Sequence, residues 1–144
     1  MNSMRFRIAA AVVTFVAIPT ASFAAPRNWT QMSKIPDSAV YSDMANIIRT
    51  GTTIRYWILL DDTSGKQPKS FVMRNEVNCE TMEWRRVYAA VYDDQMGTGN
   101  EKSSVYANAL WKPALPEDSI VLAFPICEAF KQLDREASQG LGKK

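Results

Sequence analysis

The sequence predicts an α+β fold in which a small antiparallel β-sheet is packed by a C-terminal α-helix. Residues 70–79 alternate between two faces, and residues 84–92, across a polar turn, are rich in aromatic and β-branched residues. Together these segments predict a β-hairpin. Residues 53–60 show the same period of two and predict a further strand. A helix-like apolar stripe follows all of these strands, and strands segregated from a helix are typical of α+β proteins.

The segments before the hairpin are shorter. Ala39–Asp43 predicts a short strand, whereas residues 44–49 fit a helical turn or a strand equally well. The next strand divides its side chains between two apolar faces, with Ile54, Tyr56, Ile58 and Leu60 on one and Trp57 and Leu59 on the other. A strand of this kind is either central and covered on both sides, or its second face meets a partner.

After the hairpin, the pattern predicts a loop at 93–100, a strand at 103–109 and then the helix. Asp118 or Ser119 is the expected N-cap, because a short polar side chain there accepts a hydrogen bond from the first turn. Pro125 falls inside the apolar stripe, and we expect it to kink or interrupt the helix.

The first 24 residues have the layout of a secretory signal peptide. Arg5 and Arg7 form a positive start, Ile8–Ile18 is a short apolar run, and small residues precede a cut after Ala24. The run is shorter than the roughly 20 residues that a membrane-spanning helix needs. The predicted division of the chain is a signal peptide, a single α+β domain and a flexible tail, at 1–24, 25–135 and 136–144.

Export also determines how the two cysteines are interpreted. Cys79 and Cys127 are the only cysteines, and neither lies near the expected cut, so we predict no lipid anchor. Outside the cytosol, two cysteines more often form a disulfide than a metal or redox site. We therefore predict a Cys79–Cys127 bond, worth about 4 kcal/mol on the chain-entropy model. The expected location is the periplasm, the cell surface or the medium.

Charge and composition exclude several functions. Two of the 17 Lys and Arg lie in the leader, so the remaining chain has 15 basic and 15 acidic residues and no electrostatic case for nucleic acid. The chain has no histidine, which removes the commonest general base and metal ligand. The pairs Asp61–Asp62 and Asp93–Asp94 lie where strands should end and predict solvated turns. We expect no enzyme activity, metal or cofactor.

The aromatic residues of the sheet are open to two interpretations. They are either part of the core or part of a surface that a partner contacts. In the second interpretation, the interaction face contains Trp57, Leu59, Trp84 and Tyr88. Because Trp57 and Leu59 point away from the other apolar face of their strand, we predict that a second copy of the chain meets them in a weak homodimer.

Several motifs together resemble a known family. They are Tyr41–Asp43, the strand Ile54–Leu60, Glu76–Cys79, Met96–Gly99, and Trp111–Pro113 followed by Pro116, Ser119 and Cys127. Their order and spacing resemble the surface-adhesin protein E family. The resemblance implies a small antiparallel sheet, a C-terminal helix and a Cys79–Cys127 stitch. It also implies binding of host matrix or serum proteins, which an outer-membrane adhesin of that family performs.

The predicted function is therefore an exported, non-enzymatic binding or adhesin-like module of the bacterial envelope. Its expected partner is a protein, either a host matrix or serum protein or an envelope component. The alternative is a periplasmic structural or accessory subunit that assembles through the second apolar face of its sheet. Fold resemblance by itself does not decide between the two.

Overall fold

The structure is a computed structural model that describes residues 27–66, 68–106, 109–118 and 121–140. The predicted leader lies outside the described residues, as does Ser119, one of the two expected helix caps. Within the described part of the chain, no helix has both the length and the apolar character needed to cross a membrane.

An eight-stranded antiparallel sheet forms most of the described part of the chain, and with its one α-helix and the disulfide it confirms the predicted fold class. The elements are β1 (Trp29–Ile35), β2 (Ser38–Asp43), β3 (Ile48–Thr50), β4 (Thr53–Asp62), β5 (Ser70–Asn78), β6 (Glu83–Tyr92), β7 (Glu101–Tyr106), β8 (Lys112–Pro113) and α1 (Ala123–Gly140). The main path of the sheet is β1-β2-β4-β5-β6-β7, while β3 pairs with β4 and β8 pairs with β6.

One face of the sheet, here called the packed face, meets α1. Apolar side chains of the central strands pack there against Val121, Ile126 and Cys127 at the start of the helix; those of the strands include Ile54, Tyr56, Ile58, Met73, Val77 and Trp84. The Tyr56 hydroxyl donates a hydrogen bond of 2.6 Å to the carbonyl oxygen of Val121, just before the helix. Burial raises the pKa of this hydroxyl, which stays protonated as a donor.

The helix begins at Ala123, later than the predicted caps. Leu122 has a φ of +56°, outside the right-handed helical region, so the helix cannot start before it. Pro125 then occupies the third helical position. The first amide groups of a helix have no intrahelical acceptor, and a proline there costs no hydrogen bond. The kink expected at Pro125 is therefore wrong. The helix continues to Gly140, through residues that the sequence placed in the flexible tail.

The disulfide joins the end of the hairpin's first arm to the helix. Cys79 directly follows β5, Cys127 lies buried in the first turns of α1, and their Cα atoms are 5.4 Å apart. The Cys79 amide also donates a 2.9 Å hydrogen bond to the Thr52 carbonyl, next to the start of β4. The predicted bond is confirmed, and it holds the helix to the end of the sheet where β4 and β5 meet.

Candidate functional site

The face of the sheet opposite α1, here called the open face, has no α-helix over it among the described residues. One row of its side chains, Leu59, Val72 and Ala90, is nevertheless buried, with 0–1% exposure. The turn Gln95–Gly97 lies against this row, and a Cβ built on Gly97 would meet Val72 Cγ2 at 2.6 Å. Leu59, predicted as part of an interaction face, is covered by this turn and cannot contact a partner.

Trp84 is also not part of the open face. The pairing of β5 with β6 shifts by one residue beside Arg74, so Val87 is left without a partner. Such a β-bulge reverses the faces of the residues that follow it. Trp84, before the bulge, lies in the packed core, whereas Tyr88, after it, contacts Trp57 on the open face. Of the four predicted residues, the structure brings together only Trp57 and Tyr88.

Two arginines and a glutamate form one row across the open face. Arg55 Nε donates a 2.8 Å hydrogen bond to one carboxylate oxygen of Glu76, and Arg85 Nε donates a hydrogen bond of the same length to the other. Burial alone raises the pKa of Glu76, but the hydrogen bonds from Arg55 and Arg85 outweigh it and lower that pKa. The Arg85 guanidinium also lies 4.7 Å from the centre of the Trp111 ring. The row therefore exposes Arg and Trp side chains to solvent, and Glu76 fixes the positions of the two arginines.

Trp57, Arg74 and Tyr88 form the next row. The Trp57 and Tyr88 rings meet edge to face with their centres 5.6 Å apart, and Tyr88 in turn contacts Tyr106 of the edge strand. The Arg74 guanidinium lies 5.3 Å from the Trp57 ring centre, and that of Arg27 lies only 3.6 Å from it. Trp57 is thus half-buried under arginine side chains, which can move, rather than under a packed element.

A pocket of about 430 Å³ opens beside Trp57. It exists because the strand that flanks β4 is split: β2 pairs with residues 58–62 and β3 with 53–55, while the turn Met44–Asn46 leaves the sheet between them. The walls of the pocket are Arg27, Asp43, Ala45, Asn46, Ile47, Ile48 and Trp57. At the end of β2, Asp43 is completely buried.

The remaining carboxylates organise loops. The sequence predicted Asp61 in a solvated turn, and this is wrong: Asp61 is buried and accepts a 2.7 Å hydrogen bond from the Met96 amide. Asp93 accepts from the Asn100 amide and pairs with Lys102, and these contacts lower the pKa of Asp93 to about 2. No group of three or more potential metal ligands occurs among the described residues. The arrangement can bind and position a partner through charge and stacking.

Asp43, Arg27 and Arg74 were missed as site residues by sequence reasoning. Asp43 and Trp57 both stand in the motifs that carried the family resemblance, which was the available signal. Nothing in the sequence shows that these two motifs meet, because their contact depends on the turn between β2 and β3. Arg27 lies close to the expected leader cut and shows no pattern of its own.

Of the comparisons with known proteins, one identifies a family and one supports the fold. The family model for surface-adhesin protein E matches residues 29–124. Two structures of Haemophilus influenzae protein E, one of them of crystal form II, superpose with TM-scores of 0.59 and 0.56, at 14% and 15% identity. They cover 74% and 76% of this chain and 92% and 94% of theirs. At such identities the likeness shows the fold alone. No curated protein matches the sequence.

Proposed function

Because the chain belongs to the surface-adhesin protein E family, we propose that it is an exported, non-enzymatic adhesin-like protein that binds another protein through its open face. The family supports an adhesin-like surface protein. Beyond what the family supports, we propose the binding face, the absence of catalysis and the class of partner. The arrangement of Arg, Trp and Tyr side chains on the open face supports these three points.

The observation that carries the proposal is the composition of the open face. Trp, Tyr and Arg are the residues that most often dominate the free energy of protein–protein binding. The open face carries the half-buried Trp57, the nearly buried Tyr88 (8% exposed) beside it, and Arg55 and Arg85, whose side chains are 45% and 30% exposed. Because Glu76 already holds both arginines in place, less side-chain entropy is lost on binding.

The location in the envelope rests on two features. The N-terminal 24 residues have the layout of a signal peptide, and the Cys79–Cys127 bond suits an oxidising compartment. We propose a mature chain that starts at Ala25 without a lipid anchor. Mass spectrometry of protein recovered from the envelope would find that N-terminus, whereas a chain that still begins at Met1 would overturn export.

Self-association stays a proposal. Leu59 is covered and Tyr88 is only 8% exposed, so a weak homodimer through the open face would have to use Trp57. Sedimentation velocity over a wide concentration range measures the association directly. A mass that stays monomeric at the highest concentration would remove this part of the proposal.

The function itself is tested by binding. We would immobilise laminin, vitronectin and an envelope extract, and measure binding of the purified domain. The double variant Trp57→Ala/Tyr88→Ala is expected to lose at least about tenfold in affinity, since buried aromatic anchors cost 2 kcal/mol or more on truncation. The matched control is Leu133→Ala, which removes an exposed apolar side chain from the helix on the other side.

The outcomes separate the alternatives. Saturable binding to a matrix or serum protein, lost in the double variant but kept in Leu133→Ala, supports the adhesin-like function. Recovery of a single stoichiometric envelope protein favours the accessory subunit instead. If no component binds saturably, the proposed function is wrong.

A further inference from the structure

The pocket beside Trp57 contains a buried carboxylate whose bonding is incomplete. Asp43 is 0% exposed, and its Oδ2 accepts a 2.7 Å hydrogen bond from Asn46 Nδ2. Its Oδ1 is buried and has no hydrogen-bond partner among the described residues. A buried carboxylate oxygen without a donor is costly, and a charged donor offers the strongest compensation. The pocket is therefore suited to a ligand that brings a cation with N–H groups.

The aromatic wall of the pocket specifies which cation. Trp57 already carries a guanidinium on its ring, that of Arg27, at 3.6 Å from the ring centre. A guanidinium is planar, stacks on aromatic rings and keeps its in-plane N–H groups free for a carboxylate, whereas an ammonium does not stack in this way. Ile47 and Ile48 offer apolar contacts for the methylene stem of an arginine side chain.

Arg27 covers the Trp57 ring but donates no hydrogen bond to Asp43 Oδ1. It precedes β1, and no ion pair joins it to a carboxylate within the described part of the chain. Burial lowers the pKa of its guanidinium, and the positive charge of Arg74 acts in the same direction, while Tyr92, Tyr88 and Asp43 oppose the shift. If the leader is cut after Ala24, Arg27 is the third residue of the mature chain and close to its free end.

We propose that the pocket formed by Asp43 and Trp57 binds an arginine side chain of a protein partner, and that Arg27 holds the Trp57 ring until that arginine displaces it. This inference rests on the proposed function and names the chemistry that the open face recognises. The incoming guanidinium stacks on Trp57 and donates to Asp43 Oδ1. Arg27 is an internal competitor, so the affinity for partners is lower than the pocket alone would provide.

The test uses small probes that differ only in charge and shape. Acetyl-arginine amide, acetyl-lysine amide and acetyl-citrulline amide would be titrated into the purified domain, with the Trp57 indole N–H signal followed by NMR. The arginine probe is expected to bind at least about tenfold more tightly than neutral citrulline, which has nearly the same shape, because only the charged donor compensates a buried carboxylate fully. Lysine should fall between the two.

Variants assign the effect to the pocket. Arg27→Ala should tighten binding of the arginine probe about threefold to tenfold, because the competitor is gone. Asp43→Asn should weaken it at least about tenfold. Phe130→Leu is the matched control: Phe130, on the helix, also carries an arginine, Arg49, but that arginine is already paired with Asp134, so probe binding should not change. Thermal unfolding of each variant shows that it is folded, and Trp57→Leu replaces Asp43→Asn if the latter unfolds.

Two results would overturn the inference: equal binding of the arginine and citrulline probes, or an unchanged affinity in Arg27→Ala. Its failure is distinguishable from failure of the proposed function. If the domain binds a partner protein and Asp43→Asn binds it equally well, the function holds and the arginine site is wrong. If the arginine probe binds as expected but no protein does, the site holds and the adhesin-like function is wrong.

Discussion

Tyr56 and Trp57 are neighbours on β4, point to opposite faces and are covered in opposite ways. Tyr56 is completely buried under the start of α1, and its hydroxyl is fixed to the Val121 carbonyl. Trp57 is covered by the side chains of Arg27 and Arg74. A helix tied by a disulfide cannot be displaced without loss of the fold, whereas an arginine side chain can. The packed face therefore serves stability, and the open face is where, on our proposal, a partner replaces existing contacts.

This difference predicts that substitutions on the packed face change the free energy of unfolding. Substitutions of the partly exposed side chains on the open face should instead change the affinity for a partner. The row under the turn Gln95–Gly97 is the exception, because it is on the open face and yet buried.

The disulfide should give the largest effect. Cys79→Ser or Cys127→Ser is expected to lower the free energy of unfolding by about 2–5 kcal/mol, because the bond closes a long loop in the unfolded chain. The two single variants and the double variant should be nearly equal in urea unfolding, since each breaks the same bond. Thiol titration of the denatured, unreduced wild-type protein should find no free thiol, and two free thiols would contradict the prediction.

Gly97→Ala should show that the covered row behaves as core. Gly97 has a φ of +68°, and an added Cβ would lie 2.6 Å from Val72 Cγ2. We expect a loss of about 2–3 kcal/mol from strain and overpacking together. Gly51→Ala is the matched control, because Gly51 has a φ of +60° but open space around its Cβ position. Equal losses in the two variants would mean that the turn does not press on the row.

The sequence predicted what depends on local pattern. The period of two in residues 70–79 and 53–60 predicted β5 and β4, and the helical stripe predicted α1. Two cysteines allowed only one pairing, so the disulfide was predictable as well. These features are confirmed because each is determined by a few neighbouring residues or by simple counting.

The other features depend on contacts between distant segments. The bulge at Val87 moves Tyr88 away from Trp84, although a strict period of two places them on one face. The turn that covers Leu59 is a three-residue segment, too short to show an apolar pattern. The approach of Asp43 to Trp57 depends on how the chain leaves and rejoins the edge of β4. A single sequence shows none of these contacts.

Tyr56→Phe tests the packed face with the removal of one oxygen atom. The ring stays in the core, but the Val121 carbonyl loses its donor, so we expect a loss of about 1–2 kcal/mol. Tyr106→Phe is the matched control, since Tyr106 is 77% exposed, and its effect should stay within about 0.5 kcal/mol. Urea unfolding measures both, and a loss no larger than that of the control would show that this hydrogen bond does not hold the helix.

Glu76→Gln should have the smallest effect on stability and the clearest dependence on pH. The pKa of Glu76 is lowered in the folded state, so the stability that its charge adds is present above the ordinary glutamate value of about 4.3 and is lost as the pH falls through the lowered pKa. The glutamine variant leaves Arg55 and Arg85 without their counter-charge. Because these arginines are partly exposed, the expected loss at pH 7 is only about 1 kcal/mol.

Urea unfolding from pH 7 down to pH 3 would follow the difference between wild type and Glu76→Gln. The difference should shrink steadily below about pH 4.3, because protonated Glu76 carries no charge, as in the glutamine variant. The exposed Glu80 provides the control, and Glu80→Gln should change stability by less than about 0.5 kcal/mol at every pH. A difference that does not depend on pH would mean that Glu76 orders the arginines by shape and hydrogen bonding alone. Hydrogen bonds and packing would then order the side chains of both faces. The remaining difference between the faces would be what covers them: a helix on the packed face and arginine side chains on the open face.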